Sequence, residues 1–401
     1  MTHPAPVRPL LRLVAVLLVA LNLRSAIAAV APILGVLRAD LGLTPTAAGL
    51  LTTLPVLCFA LLAPASVALS RRVGLYGAIL LGCGGIVIGS IVRVLDGVPV
   101  LLGATVVVGA GMTVGNVLVP VVVKAEFADR AGQMTGLYTA ALVTGATIAA
   151  ALTAPFASLW GWRPALASWG LLALVATVVW RLAFPQPPAD RATQHAEAPL
   201  AVSPWRSPVA WTLAAFFGAQ ALCFYAVTAW LPTILIDEAG LTPAAAGGGA
   251  SLFQVLGIAG TLAIPAVIHR RPHQGWLAVF AAGGFMVLFV GLLLWPSGWL
   301  LWVPMGGVAQ GASISLGLTL VVLRAHRVDV ARLLSGMVQL VGYLVGAVGP
   351  VLIGWLYGLT DAWFAPLLVL LGVALAMAAL GQAAGATRTV DSASPRTTGS
   401  A

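Results

Sequence analysis

The chain has 401 residues, 60% of them hydrophobic and only 8% charged, with a formal net charge of +9. A soluble domain carries roughly 25% charged residues, so this composition excludes a water-soluble globular protein and describes a chain that lives in lipid. Its three cysteines, Cys58, Cys83 and Cys223, form no spaced motif, so neither a disulfide framework nor a metal site is indicated.

Crossing the hydrocarbon layer takes about 20 mainly apolar residues as a helix, and twelve such runs are predicted. The first covers 11–37 and contains Ala26-Ile27-Ala28, which resembles a signal-peptide cleavage site. It is read as a retained span, because it is the repeat partner of the run at 208–235. Runs at 46–69, 75–94, 98–123, 133–158 and 164–184 complete an N-terminal six-helix bundle over residues 1–184. Residues 185–207 then turn polar and proline-rich, which marks a cytoplasmic linker. A C-terminal six-helix bundle follows over 208–384, with runs at 208–235, 245–268, 275–294, 299–323, 333–357 and 363–384. The small, polar stretch 385–401 is expected to be a disordered cytoplasmic tail.

The two sets of six are copies of one unit. Gly42 to Gly49 (GLTPTAAG) recurs at Gly240 to Gly247 (GLTPAAAG), an offset of 198 residues. KAEFADRAGQMTG from Lys124 recurs as RAHRVDVARLLSG from Arg324, an offset of 200, and Arg71-Arg72 is echoed by Arg270-Arg271. Parallel repeats in a chain this apolar are the pattern of a transporter with its path between the halves.

Positive charge is unevenly placed. Of twenty Lys and Arg, sixteen fall on the side holding both termini and the linker, Arg38, Arg93 and Arg163 fall on the other, and Arg24 lies within a span. The positive-inside rule then puts both termini in the cytoplasm. The basic balance is topogenic, and no nucleic-acid partner is implied.

Every Asp and Glu and all five histidines fall outside the predicted spans, which leaves Arg24 as the one firmly embedded charge. Placing an arginine mid-span costs about 2.5–3.5 kcal/mol on insertion scales, so it is rarely kept without a partner. An anion arriving from water is one partner, since guanidinium is permanently charged and offers a planar fork of donors. Backbone carbonyls of neighbouring helices, or snorkelling to the interface, are the structural alternatives. Uncharged polar groups gather in the first, fourth, fifth, seventh, eighth, tenth and eleventh spans, while the third, sixth, ninth and twelfth carry almost none. The latter four are expected to face lipid and the others to surround a cavity. No HExxH, Walker-type GxxxxGKS, GxSxG or paired carboxylates occur, so no catalysis and no cofactor are expected.

Twelve spans in two repeats, the inner loop Ser70-Arg71-Arg72-Val73-Gly74 and the turn Gly161-Trp162-Arg163 resemble the major facilitator superfamily. Within it, Leu21-Asn22-Leu23-Arg24-Ser25-Ala26, Gly115-Asn116-Val117-Leu118-Val119-Pro120, Met134-Thr135-Gly136-Leu137-Tyr138-Thr139, Trp230-Leu231-Pro232-Thr233 and Ser335-Gly336-Met337-Val338-Gln339 look like the cyanate and nitroimidazole permease branch. Two departures stand out. The aspartate that usually precedes the inner-loop arginines is absent from Ala65 to Ser70, which weakens the charge lock it provides. The arginine that drug/proton antiporters carry in the fourth span is absent too.

The resemblance implies an all-α, multi-pass inner-membrane carrier that works by alternating access on a small anionic or polar solute of the cyanate or nitroimidazole kind. Arg24 would attract the negative group. Asn22, Asn116 and Tyr138 would complete the site from the first half, and Tyr225, Trp230, Gln254, Gln310, Gln339 and Tyr343 from the second. The chain is expected to act as a monomer. Efflux of neutral or cationic drugs is the alternative among carriers and would call for an internal acid. A non-transporting sensor or scaffold is the alternative from another class and would call for a soluble output module.

Overall fold

Proline and glycine punctuate the chain at the places where its helices start, stop and bend. In the computed structural model, which describes residues 9–95, 97–127, 130–185, 203–268, 273–325, 328–386 and 389–390, all regular structure among the described residues is helical. Helix α1 (Pro9–Ala28) is followed by a short 3-10 turn at Ala31–Ile33, and α2 (Leu34–Leu41) resumes the same direction of travel. The break falls at Pro32, which has no N–H to donate. Helices α3 (Pro45–Leu61) and α4 (Ala63–Val73) are bent by 60° at Leu62, so the predicted run at 46–69 is two pieces. Pro64 explains the bend, because its ring would clash with the carbonyl four residues back in a straight helix.

The first half continues with α5 (Leu75–Val92), α6 (Val98–Glu126), α7 (Ala131–Trp160) and α8 (Trp162–Ala183). The second half comprises α9 (Pro208–Ala239), α10 (Pro243–Val267), α11 (Gly275–Leu294), α12 (Trp299–Leu323), α13 (Val328–Thr360) and α14 (Phe364–Ala384). Among the described residues, ten helices are long and apolar enough to cross a membrane, and the bent α3–α4 pair makes an eleventh. The 25-residue α12 occupies the remaining expected position. The chain is thus a multi-pass, all-α membrane protein of twelve spans in two six-helix repeats.

The repeated GLTP stretch has one structural job in both copies. Gly42 (φ +63°) and Gly240 (φ +68°) take the left-handed conformation that only glycine adopts freely, and so end one helix. Two residues on, Thr44 and Thr242 accept hydrogen bonds from the backbone N–H groups of Ala47 (3.2 Å) and Ala245 (3.3 Å) and so cap the next. Pro45 and Pro243 then occupy the first helical position, where the lost donor costs nothing.

By its contacts the chain divides into two compact units. One comprises Met1–Thr193, Tyr225–Val255 and Pro350–Asp361, and the other Gln194–Phe224, Leu256–Gly349 and Ala362–Ala401. In the first unit α1 runs through the middle, packed on α6, α7 and α8, while α5 packs on α6 and α8, and α3 on α6. In the second, α11 packs between α12 and α14. Residues 186–202 of the expected linker lie outside the described residues, and Pro204–Arg206 forms a 3-10 turn. Of the tail, Val390 is buried and its N–H donates to the Arg324 carbonyl at 2.9 Å, while 391–401 lie outside the described residues.

An ion pair stands at the N-terminal end of α1. Arg12 Nη1 meets Glu126 Oε2 at 2.6 Å, the Tyr76 hydroxyl donates to Glu126 Oε1, and the Arg12 guanidinium lies over the Phe184 ring. Trp180 Nε1 donates to the Tyr76 carbonyl at 3.0 Å, so this cluster ties α1, α5, α6 and α8 at one end of the first unit.

Candidate functional site

The C-terminal part of α1 carries the two residues on which the sequence reading turns, Asn22 and Arg24. Leu21 packs its backbone on α7 at Gly145, where a Cβ would overlap the Leu21 carbonyl oxygen and stand 2.7 Å from its carbonyl carbon. Leu23 is fully buried and its side chain fills the space over Gly115 on α6. With α1 fitted this closely on two sides, Arg24 is carried on a rigid turn, and its own side chain is partly exposed. A rigid backbone under the charged group is what a recognition site needs, because each loose rotamer ordered on binding costs affinity.

Asn22 is buried and points into the first unit. Its Nδ2 donates to the carbonyls of Leu18 (2.8 Å) and Leu172 (3.4 Å), while Oδ1 has no hydrogen-bond partner among the described residues. Asn116 on α6 is partly exposed, and Tyr138 on α7 is buried in the apolar cluster that contains Leu23, Met112 and Leu118.

The three second-half residues that belong to the first unit are all buried: Tyr225, Trp230 and Gln254. Trp230 has a visible structural task. Its indole N–H donates to the Pro350 carbonyl at 2.8 Å and its ring lies 6.4 Å from that of Tyr357, which fastens α9 to α13. A buried ring with its one donor engaged presents no polar edge to a solute in this state.

The remaining three lie in the second unit. The Gln310 amide on α12 sits directly on Gly257 of α10, in the place a Cβ would take. Gln339 is partly exposed and donates through Nε2 to Ser335 Oγ at 2.9 Å, one turn back on α13. Tyr343 is partly exposed and meets Phe217 edge to face at 5.9 Å.

Arginine burial differs from expectation. Arg24 was expected to be the one embedded charge, yet Arg93 is 1% exposed and Arg324 is 4% exposed. Arg93, expected in an outer connection, turns inward from the end of α5. It donates to the carbonyls of Ala26 (3.1 Å) and Leu166 (3.4 Å). Ala26 belongs to the last turn of α1, where carbonyls lack helical partners and the dipole is negative, so a guanidinium settles there without a carboxylate. Arg324 does the same for α14. It donates to the carbonyls of Ala384 (3.1 Å) and Gly385 (2.9 Å) and to Gln274 Oε1 (2.6 Å). Nothing in the sequence marked these two, because a basic residue at a span edge reads as a topogenic charge.

A duplicated helical membrane protein with polar groups inside its spans has the build of a secondary carrier. The profile of the Major Facilitator Superfamily matches residues 14–350, and the chain belongs to that family. It is 37% identical over 382 residues to a 2-nitroimidazole transporter of Escherichia coli (strain K12), covering 92% of this chain and 94% of that one. An uncharacterized transporter, YycB, of Bacillus subtilis (strain 168) is 36% identical over 378 residues, covering 93% of each chain. The cyanate transport protein CynX of Escherichia coli (strain K12) is 28% identical over 342 residues, covering 84% of this chain and 88% of that one. These relatives place the chain in the cyanate and nitroimidazole branch, among transporters and not enzymes. The fold also matches that of the nucleoside transporter NupG, with a TM-score of 0.77 at 11% identity over 93% of this chain and 99% of that one.

Proposed function

We propose that the chain moves a small anion of delocalised charge, of the cyanate or nitroimidazolate kind, across the inner membrane by alternating access, with both termini cytoplasmic. The observation that carries the reading is Arg24, a guanidinium inside the Pro9–Leu41 span on a backbone that the close fits at Gly145 and Gly115 fix in place. Three similar proteins point the same way by name: a 2-nitroimidazole transporter, a cyanate transport protein, and a putative anionic 4-hydroxy-benzoate permease that is 45% identical over 94 residues. Their solutes share small size, a conjugated frame and a negative charge, or an acidic proton whose loss creates one. A planar guanidinium suits such a solute better than a compact ammonium does.

Asn22, Asn116 and Tyr138 stand with Arg24 in this reading, together with Tyr225 and Gln254 of the same unit and Gln310, Gln339 and Tyr343 of the other. Trp230 serves as a tie between helices. No Asp, Glu or His lies in a predicted span, so any proton that accompanies transport travels on the solute. The test is counterflow in proteoliposomes with labelled cyanate and labelled 2-nitroimidazole, competed by unlabelled anions and by neutral analogues of equal size. Competition by the anions alone is expected. Equal competition by the neutral analogues would refute the reading.

A further inference from the structure

The doublet Arg71-Arg72 is left without a task by everything described so far. Both arginines stand exposed in the last turn of α4, and neither makes a hydrogen bond or an ion pair among the described residues. Basic residues in a last turn commonly bond the terminal carbonyls of their own helix, and these two do not. Lys124, in the last turn of α6, is exposed and unpaired in the same way. Since α4 packs on α6, these free cations share one end of the first unit. Glu126, the carboxylate described at that end, has one oxygen taken by Arg12 and the other by the Tyr76 hydroxyl.

Apolar surface lies behind the cations. Along α4, Val67 (39% exposed) stands four residues before Arg71, and along α6, Val121 (50% exposed) stands three before Lys124. Residues so spaced share one face of a helix. Both helices end beside the Tyr76–Glu126 pair, so each presents an apolar side chain deeper in the bilayer and a cation beyond it. On the other side of α4, Ser66 is buried and Leu69 packs on the core of the first unit. Bent by 60° from α3, the helix thus keeps one face against protein and offers the other to its surroundings.

We infer that Arg71, Arg72 and Lys124 form a binding site for an anionic phospholipid, with Val67, Val73 and Val121 against its acyl chains, and that this lipid fastens α4 to the bilayer surface. Arginine offers a planar fork that takes two phosphate oxygens, and lysine adds a point charge. Free phosphate has no use for the valines, and a zwitterionic lipid brings its own cation to the phosphate. A lipid of net negative charge satisfies both levels of the surface at once. In the topology proposed above it belongs to the cytoplasmic leaflet, whose negative surface potential attracts basic segments at the membrane edge. The site depends neither on Arg24 nor on the identity of the solute.

Native mass spectrometry of the protein released from nanodiscs of phosphatidylglycerol and phosphatidylcholine in equal parts reports which lipid stays bound. The parent is expected to retain phosphatidylglycerol in preference. Each cation near an anionic surface is worth roughly fivefold in binding, so the triple variant Arg71→Gln, Arg72→Gln, Lys124→Gln should lose about tenfold or more of that preference. Arg206→Gln, which removes an exposed cation of the other unit, should keep it. A second arm needs no variant: phosphatidylglycerol with a photoreactive group near its phosphate should label α4 and the end of α6. Unlabelled phosphatidylglycerol should displace that label, and phosphatidylcholine and inorganic phosphate should not. Equal retention of the two lipids by the parent, an unchanged preference in the folded triple variant, or displacement of the label by phosphatidylcholine or phosphate as well as by phosphatidylglycerol would overturn the inference.

Discussion

Arg93 and Ala26 are joined by a hydrogen bond of 3.1 Å from guanidinium Nη1 to the α1 carbonyl, one turn beyond Asn22 and two residues beyond Arg24. A fully buried arginine thus anchors the end of the helix that carries the partly exposed one. The two should respond oppositely to substitution. Arg93→Met removes the bonds to Ala26 and Leu166 and leaves the Ala26 carbonyl, in the last turn of α1, without its donor, at a cost of about 1–3 kcal/mol. We expect a clearly lower melting temperature in detergent and, in the protein that remains folded, solute affinity close to the parent's.

The Arg12–Glu126 pair is expected to couple modestly. The Arg12 side chain is 39% exposed and that of Glu126 is 13% exposed, so solvent screens much of the attraction and about 1 kcal/mol is a reasonable ceiling. A double-mutant cycle with Arg12→Ala and Glu126→Ala, read by thermal unfolding, should show non-additivity of that size. Coupling indistinguishable from zero would show that the Tyr76 hydroxyl and the Phe184 ring hold the cluster instead.

Trp230→Phe deletes the hydrogen bond to Pro350 and withdraws the outer ring atoms that lie against Gly354. A few kcal/mol of stability should be lost, about 1 kcal/mol for the bond and the rest for the void, and the dissociation constant for solute should not move. A tenfold weaker affinity at unchanged stability would return Trp230 to the binding site.

Gly257→Ala places a methyl where the Gln310 amide now rests. If Gln310 belongs to the solute site, displacing its amide should weaken uptake by about tenfold or more, the value of one good hydrogen bond to a charged group. Gln310→Ala should give a similar loss, and the double variant should add little to either.

Much of this architecture is legible without coordinates, since hydropathy marks the spans and the recurring GLTP stretch reveals the duplication. The reasons behind that stretch are partly local. Positive φ at Gly42 and Gly240 and the threonine caps belong to sequence grammar. The close approach of helices at Gly49 and Gly247 does not, because the backbones they meet, at Pro350 and Ala150, lie in distant helices. The bend at Leu62 follows from Pro64 yet passes unnoticed in a hydropathy average. Burial of Arg93 and Arg324 was hidden for a different reason. Their partners are backbone carbonyls at helix ends, which every sequence contains and none advertises. The same holds for Trp230, whose acceptor is the Pro350 carbonyl.

The account rests on Arg24 meeting a negative solute, and the dissociation constants of Arg24→Gln and Arg24→Lys for cyanate and 2-nitroimidazole, measured by calorimetry on purified protein, test it most directly. A charge-assisted bond of about 2 kcal/mol predicts roughly 30-fold weaker binding for Arg24→Gln. Arg24→Lys should recover part of that loss, since it restores the charge without the planar fork. Binding by Arg24→Gln within about twofold of the parent, in protein that melts at the parent's temperature, would contradict the claim.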